Sequence, residues 1–219
     1  MLPATVGVTG SLAEALSGVD IVVSAIPSHG CRAVMRAAVP YLREHATVVS
    51  ATKGLEPETL SRMSEVIGAE SGPGHAVVVL SGPSFASEVA QQLPTVLVAA
   101  SADSRATELV QSEFRGPALR LYASSDVVGV EIGGALKNVI ALAAGIIAGL
   151  ELGENAQAAI ATRGLSEMSK LGTALGGDPI TFLGLSGVGD LVATCASPLS
   201  RNRSFGVQLG KGRSLDDVM

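Results

Sequence analysis

The sequence predicts an α/β fold, in which a layer of parallel strands alternating with helices is followed by a run of helices alone. Two observations lead to this prediction. Five apolar runs of strand length occur before Ser124, separated by segments with helical spacing, and no such run occurs after it. Runs without polar alternation are typical of strands buried on both faces of a parallel sheet. The change near Ser124 predicts two domains, residues 1–123 and residues 124–219.

The first domain is predicted to contain five strands. Ahead of them, Ser11 and Glu14 fit a capping box at the start of a short helix. The strands are predicted at residues 20–26, 46–52, 75–81, 95–101 and 118–123. Helices are predicted between them at residues 31–43, at 57–67, from the turn at 82–84 to about residue 91, and at 105–114. Strand–helix–strand units of this kind predict parallel strands joined by right-handed crossovers.

The second domain is predicted to be helical throughout. Helices are predicted at residues 127–150, 154–175, 179–183, 188–196 and 200–209. The uncharged run at residues 138–150 is shorter than the roughly 20 residues that a bilayer requires, so we predict no membrane span. Its alanines and glycines indicate close packing between helices instead.

The composition excludes several classes of function. A net charge of −5 and 3% aromatic residues disfavour general binding of nucleic acid. Cys31 and Cys195 lie far apart and lack metal-ligand spacing, so we predict two free thiols in a reducing compartment and no metal site. The first residues lack the basic and apolar regions of a signal peptide, which indicates a cytoplasmic protein.

Polar or glycine-containing turns follow three of the predicted strands. Pro and Ser follow the first strand at residues 27–28, Lys and Gly follow the second at 53–54, and Gly, Pro and Ser follow the third at 82–84. In parallel sheets a ligand lies beyond the carboxyl ends of the strands. The three turns therefore predict a binding edge.

Lys137 is the first candidate for a catalytic group. It stands in an apolar helical stretch, residues 129–168, just ahead of the uncharged run. An amine in such a place is unfavourable unless something uses it, and buried lysines change their proton affinity readily. We therefore interpret Lys137 as a proton carrier, with the rest of the chain bringing substrate to it.

Four polar clusters in apolar surroundings support a site, although each has a simpler interpretation alone. They are residues 50–56, 81–86, 134–138 and 187–206. Lys53 could be a solvated turn residue, and the turn at 82–84 could be a helix start. Asp190 could cap a helix or pair with a surface cation, and the Ser-Arg-Asn-Arg run at 200–203 could be an exposed helix start.

Taken together and in order, these clusters resemble one family, the NAD(P)-dependent glycerol-3-phosphate dehydrogenases of the bacterial type. The matching strings are VVSATKGLE, SGPSFASEVA, GVEIGGALKNVIALAAGI, ATRGLSEM, GDLVATC and SRNRSFG, which lie between residues 12 and 212. The resemblance implies a partial Rossmann-type sheet followed by a helical catalytic domain. It further implies interconversion of sn-glycerol 3-phosphate and dihydroxyacetone phosphate for phospholipid synthesis. The cofactor would be NADP or NAD, bound non-covalently, and the full-length protein would be a cytoplasmic homodimer.

The resemblance also implies roles for individual residues. Lys137 would be catalytic, exchanging the proton of the C2 hydroxyl. Lys53 would contact both substrate and cofactor, Ala86 would contact the cofactor, and Arg201 would contact the substrate phosphate and the cofactor. The remaining substrate contacts would be Gly82, Ser84, Asn138, Asp190, Thr194, Ser200 and Asn202.

The sequence departs from the family pattern at both ends. No G-x-G-x-x-G turn precedes the strands, and Gly7 and Gly10 do not supply one. The last helical segment of the family is also missing. We therefore expect an incomplete chain that binds the cofactor weakly by itself.

Two other readings stay open at this point. The first is a related hydroxyacid dehydrogenase with the same use of the lysine, which would lack the Ser-Arg-Asn-Arg phosphate group. The second is a truncated, non-catalytic helical interaction module, in which residues 139–150 would be a self-association surface. A Schiff-base role for Lys137 is a minor third alternative.

Overall fold

The computed structural model describes residues 5–218. Internal contacts divide the chain into two compact units, with the division between Val78 and Val79. This division falls inside a strand. The domain boundary near Ser124 stays a prediction from the sequence.

The first unit contains two parallel strands and helices that pack on the second of them. Its elements in chain order are α1 (Leu12–Ala15), β1 (Ile21–Ser24), α2 (Ser28–Ala38), a 3₁₀ turn (Val39–Tyr41), β2 (Thr47–Ser50) and α3 (Met63–Ser71). β3 (Val77–Ser81) begins in this unit and continues into the second. Residues of α2, β2 and α3 form the core, namely Cys31, Met35, Val48, Met63, Val66 and Ile67.

The predicted start of the first helix is half confirmed. The Ser11 hydroxyl accepts a hydrogen bond from the Glu14 amide at 3.3 Å, as an N-cap should. The Glu14 carboxylate, however, accepts from the Thr9 hydroxyl at 2.7 Å and does not return to the cap. The predicted helix at residues 31–43 begins earlier, at Ser28, and passes into the 3₁₀ turn where Pro40 removes a backbone donor.

The helix predicted at residues 57–67 is wrong in its position, because α3 begins only at Met63. The preceding residues form a closed loop in which the Glu56 amide donates to the Ser61 carbonyl at 2.9 Å. Leu60 in this loop has a φ of 57°, a left-handed conformation that interrupts a helix. Local turn geometry thus overrides the helical spacing of these residues.

A network of ion pairs ties this loop to α2 and α3. Arg32 Nε and Nη2 each donate to the Glu56 carboxylate at 2.7 Å, and Arg32 Nη1 donates to Glu70 at 2.9 Å. Arg36 donates to Glu70 as well, and the Thr59 hydroxyl donates to Glu56 at 2.5 Å. Glu56 is 6% exposed, so its charge is compensated almost entirely by protein donors. The network holds the loop that follows Lys53.

Replacing Glu56 with glutamine should flatten the acid dependence of stability. Hydrogen bonds from Arg32 and then Thr59 lower the pKa of Glu56 from 4.5 to about 2. A carboxylate with a depressed folded-state pKa stabilises the fold above its unfolded pKa, and this stabilisation is lost as the pH falls from about 4.5 through about 2. Urea unfolding midpoints of parent and Glu56→Gln, measured from pH 6 to pH 2, should therefore converge on acidification. Parallel curves would contradict the expectation.

The second unit combines the remaining strands with a helical bundle. Its elements are α4 (Ala86–Ala90), β4 (Thr95–Ala100), α5 (Ser104–Phe114), β5 (Leu119–Ser124), α6 (Val127–Gly149), α7 (Glu154–Ala174), α8 (Pro179–Phe182), a π-helical turn (Leu185–Gly189), α9 (Asp190–Ala196), α10 (Arg201–Gly210) and α11 (Leu215–Val218). A small core joins the strands to α6 through Val79, Ala100 and Val130. This contact places the start of α6 against the sheet.

The strands confirm the predicted fold class but not the prediction that all neighbours are parallel. The strand order is β1-β2-β3-β4-β5, with β1–β2 and β4–β5 parallel. β3 and β4 are antiparallel, with Val79 opposite Ala100. The connection between them contains only the five-residue helix α4, which at 1.5 Å per residue is too short to carry the chain back along the strand. The chain therefore reverses direction at this point.

α6 is the central helix of the second unit and meets α10 at backbone contact. Gly145 and Gly149 of α6 lie against Gly206 and Gly210 of α10. A Cβ atom added to Gly145 would lie 2.1 Å from the carbonyl oxygen of Arg203, well inside contact distance. The predicted close packing of this small-residue stretch is confirmed.

Two stretches are long and apolar enough to cross a membrane by length and composition alone. They are Val127–Gly149, with a mean hydropathy of 1.7, and Pro179–Ala196, with 1.4. The first is α6, which is longer than the uncharged run at residues 138–150. It carries two buried charged residues, Glu131 and Lys137. The second is divided among α8, the π-helical turn and α9. Both stretches belong to the second unit, and 39% of each apolar window is buried inside it.

Candidate active site

The buried amine of Lys137 is the centre of the candidate site. Lys137 lies in the middle of α6 and is 7% exposed. Its Nζ donates one hydrogen bond to the Asp190 carboxylate and another to the Thr194 hydroxyl, the latter at 2.8 Å. The structure therefore brings three sequence-predicted residues together, as a cation held by an anion and a neutral hydroxyl.

Asp190 and Thr194 reach Lys137 from the same face of α9. They are four residues apart, which puts them one above the other on a helix. Asp190 is 2% exposed and Thr194 is 4% exposed. The Thr194 hydroxyl donates to the Asp190 carbonyl at 2.6 Å, so its lone pairs are left for the lysine. Asp190 is therefore an internal counter-ion, and the simpler alternative, a pair with a surface cation, does not apply.

A π-helical turn, Leu185–Gly189, positions Asp190. This turn packs on α6 at Gly133, one helical turn before Lys137, where an added Cβ would lie 2.4 Å from the Ser186 carbonyl oxygen. π-helical turns are rare and occur frequently at functional sites. The sequence predicted an α-helix beginning at residue 188, whereas α9 begins only at Asp190. The sequence carries no signal specific to a π-helical turn, although the glycines of this turn allow it to approach α6 closely.

The turn at residues 82–84 lies beside the start of α9. A Cβ added to Gly189 would be 3.9 Å from Pro83 Cδ, so this turn contacts the residue that precedes Asp190. Gly82 has a φ of 128°, which side chains other than hydrogen rarely allow. The Ser84 hydroxyl donates to the Gly82 carbonyl at 3.2 Å, and Ala86 opens α4 directly afterwards. The predicted substrate turn and the lysine thus belong to one unit.

The predicted phosphate group forms the start of α10. Ser200 is the N-cap, and its hydroxyl accepts from the Arg203 amide at 3.2 Å. Arg201 and Asn202 are exposed in the first turn, where backbone N–H groups of a helix favour anions. Residues 200–203 therefore do form a helix start, exposed at Arg201 and Asn202, as the simpler interpretation had it. Such a helix start is also compatible with phosphate binding. Asn138, next to Lys137, is half-buried.

Cys195 follows Thr194 directly in α9 and is buried. Burial raises the pKa of this thiol to about 11, and the positive charges of Lys137 and Arg203 lower it only in part. A thiol with this pKa is neutral near pH 7 and a poor nucleophile. Cys195 therefore takes no chemical part in the site, but it marks Arg203 as a nearby cation that sequence reasoning did not single out.

Lys53 belongs to the first unit. The hydroxyl of the preceding residue, Thr52, donates to the Ile26 carbonyl at 2.7 Å and accepts from the Ile26 amide at 3.2 Å. This clamp joins the turns that follow β1 and β2, and Gly54 packs against Ser28. The role of Lys53 at the substrate stays a prediction. Among residues 5–218, no group of three or more His, Cys, Asp or Glu side chains is placed to hold a metal ion.

The fold is that of an α/β protein in which a layer of strands is followed by a helical domain, and solved structures share it. A solved glycerol-3-phosphate dehydrogenase from Coxiella burnetii superimposes with a TM-score of 0.95 at 38% identity, covering 99% of this chain and 66% of that one. Two family models match in succession. They are described as NAD-dependent glycerol-3-phosphate dehydrogenase N-terminus, at residues 1–107, and C-terminus, at residues 126–219.

The chain therefore belongs to the NAD-dependent glycerol-3-phosphate dehydrogenase family, as the resemblance predicted. Two curated relatives named glycerol-3-phosphate dehydrogenase [NAD(P)+] are similar over the whole chain. The one from Geobacter metallireducens is 54% identical and the one from Koribacter versatilis is 53% identical. The chain spans 66% and 65% of their lengths.

Proposed function

We propose that this chain supplies the catalytic domain and part of the cofactor-binding domain of an NAD(P)-dependent glycerol-3-phosphate dehydrogenase. The reaction would interconvert sn-glycerol 3-phosphate and dihydroxyacetone phosphate and feed glycerophospholipid synthesis. The observation that carries the proposal is the buried Lys137 amine, held by Asp190 and Thr194 in the family's helical domain. A buried ion pair of this kind supports proton transfer at a defined atom.

Lys137 would exchange the proton of the C2 oxygen. Reduction of a ketone places negative charge on its oxygen, and an ammonium group aimed at that oxygen stabilises the charge and donates its proton. General acid catalysis of this kind contributes about 10²–10⁴-fold. The Asp190 carboxylate would hold Nζ in place as its counter-ion while the proton moves to the substrate oxygen. In the reverse direction the same nitrogen would accept the hydroxyl proton.

The start of α10 would bind the substrate phosphate. The N-cap hydroxyl of Ser200 retains its own proton to donate, and Arg201 and Asn202 present further donors in the first turn. A helix N-terminus with an arginine fork suits a phosphate dianion. Gly82, Ser84 and Asn138 would complete the substrate contacts from the neighbouring turn and from α6.

The cofactor would be NADP or NAD, bound non-covalently, and it supplies the hydride when bound. Lys53, Ala86 and Arg201 would hold it. These residues fit the group: Lys53 stands on a turn fixed by the Thr52 clamp, and Arg201 is exposed at the start of a ten-residue helix. Ala86 is exposed and small at the start of α4, which leaves room for a planar ring.

Two observations weigh against the other readings. A hydroxyacid dehydrogenase would not need the basic, N-capped start of α10 at residues 200–203. A non-catalytic self-association module would need residues 139–150 as a free surface, but Gly145 and Gly149 already pack on α10. We also propose that the full-length protein is a cytoplasmic homodimer. We propose no nucleic-acid partner for it.

Turnover by a chain extended with the flanking segments of its longer relatives tests the proposal. Oxidation of NADPH and NADH is followed by absorbance with dihydroxyacetone phosphate, and with unphosphorylated dihydroxyacetone as the matched substrate. We expect reduction of the phosphate ester to be favoured by at least about 100-fold in kcat/KM, since a lost charged contact set is worth about 3 kcal/mol. Equal rates, or reduction of 2-keto acids alone, would refute the proposed substrate.

A further inference from the structure

The guanidinium group of Arg203 is the starting point, because it is partly buried near the start of α10. Among residues 5–218, its Nε is buried and has no hydrogen-bond partner. The residue as a whole is half-buried. An unpaired donor of a buried charged group is unfavourable and demands a partner, which points to a ligand.

The backbone of Arg203 is held on both sides. Its amide donates to the Ser200 hydroxyl at 3.2 Å, which places it at the third position of α10. Its carbonyl oxygen lies on Gly145 of α6, where even a Cβ atom would not fit. Gly145 is eight residues after Lys137 on the same helix, so the position of Arg203 is fixed relative to the lysine. A charge on such a support is preorganised for binding.

The charges of Arg203 and Lys137 act on one neighbourhood. Both positive charges lower the pKa of the Cys195 thiol in part, and Cys195 follows Thr194 directly in α9. The Asp190 carboxylate already forms an ion pair with Lys137. Arg203 and Arg201 both stand in the first turn of α10, and two cations at a helix N-terminus suit an anion of more than one negative charge.

We propose that Arg203 is a specificity-determining residue of the substrate site, which holds the phosphate from the side of α9 and so selects a phosphate dianion over a carboxylate. The inference rests on the proposed function and deepens it, since it adds a second arginine to the phosphate group predicted at residues 200–202. The guanidinium fork would donate to two phosphate oxygens, as planar bidentate pairing allows. Arg201, exposed on the outer side of the same turn, would remain available to the cofactor.

The test measures binding to the 219-residue chain with glycerol 3-phosphate and with glycerate, which carries a carboxylate in place of the CH2–OPO3 group. Isothermal titration gives the dissociation constants for the parent, Arg203→Gln and Arg203→Lys. Arg163→Gln, at an exposed position on α7, is the matched control. Thermal unfolding of each variant reports on folding.

We expect Arg203→Gln to weaken glycerol 3-phosphate binding about 10- to 100-fold and to change glycerate binding by less than about threefold, because a charge-assisted pair to the phosphate is lost. Arg203→Lys keeps the charge but not the fork and should weaken it about 3- to 10-fold. This lysine variant decides the question if the glutamine variant does not fold. A purely structural role would weaken both ligands alike, and that result would overturn the inference.

Failure of the inference and failure of the proposed function give different results. If Arg201→Gln weakens glycerol 3-phosphate binding and both Arg203 variants bind it like the parent, the inference is wrong and the proposed function stands. If the extended chain does not reduce dihydroxyacetone phosphate, the proposed function is wrong whatever Arg203 does. Absence of saturable glycerol 3-phosphate binding by the parent chain would also overturn the inference.

Discussion

Replacing Lys137 with methionine should lower the free energy of unfolding by about 3–5 kcal/mol, because it leaves the Asp190 carboxylate buried without its cation. Asp190 is 2% exposed and its ion-pair partner is Lys137, so solvent cannot take over the compensation. Methionine keeps most of the side-chain volume, which separates the loss of charge from the opening of a cavity. Urea unfolding followed by circular dichroism measures the difference.

Two further variants make this measurement decisive. Lys170→Met removes a lysine from an exposed position on α7 and should change stability by less than about 0.5 kcal/mol. Lys137→Met combined with Asp190→Leu removes both charges and should recover most of the loss. A loss of less than about 1 kcal/mol in Lys137→Met would show that Asp190 does not depend on Lys137 for charge compensation. A double variant no more stable than Lys137→Met would show the same.

The same substitution should remove turnover in the extended chain. Without Nζ there is no proton donor at the C2 oxygen, so kcat for dihydroxyacetone phosphate should fall by about 10²–10⁴-fold. The assay is run at a temperature where the variant remains folded, which keeps the catalytic effect apart from the stability effect. Turnover within about tenfold of the parent would contradict the proton-transfer role.

The residues of this site could be found from the sequence because burying a lysine is unfavourable. Lys137 is conspicuous in an apolar helix, and its partner had to be a carboxylate from another element. Resemblance to the family pointed to Asp190, and the structure confirms the contact between them. The second lysine, Lys53, cannot be tested in this way, because its predicted role depends on substrate and cofactor together.

What the sequence did not predict depends on contacts between distant residues. The π-helical turn before Asp190 forms because Gly133 on α6 admits the Ser186 carbonyl, a tertiary contact that local spacing does not encode. The reversal of the chain between β3 and β4 follows from the length of α4, since an apolar run reads the same in either direction. Arg203 was overlooked because its unpaired Nε is a property of packing.

The crossing of α6 and α10 gives the other large expected effect. Gly145→Ala should destabilise the chain by about 3 kcal/mol or more, at or above the upper end of typical overpacking. The added Cβ would lie 2.1 Å from the Arg203 carbonyl oxygen and 3.0 Å from Gly206 Cα. Backbone atoms cannot rotate away as a side-chain end can, so the two helices must separate. The gain of about 0.5–1 kcal/mol from alanine in a helix offsets only part of this.

Gly68→Ala is the matched control for the crossing. Gly68 lies in α3, and a Cβ added there meets no atom within 4 Å, so the helix gain should appear alone as a small stabilisation. Because Arg203 and Ser200 are carried by α10, separation of the helices should also weaken glycerol 3-phosphate binding in Gly145→Ala, whereas Gly68→Ala should bind like the parent. A Gly145→Ala chain as stable as the parent would mean that α10 does not rest on α6 at backbone distance, and the preorganised position argued for Arg203 would fall with it.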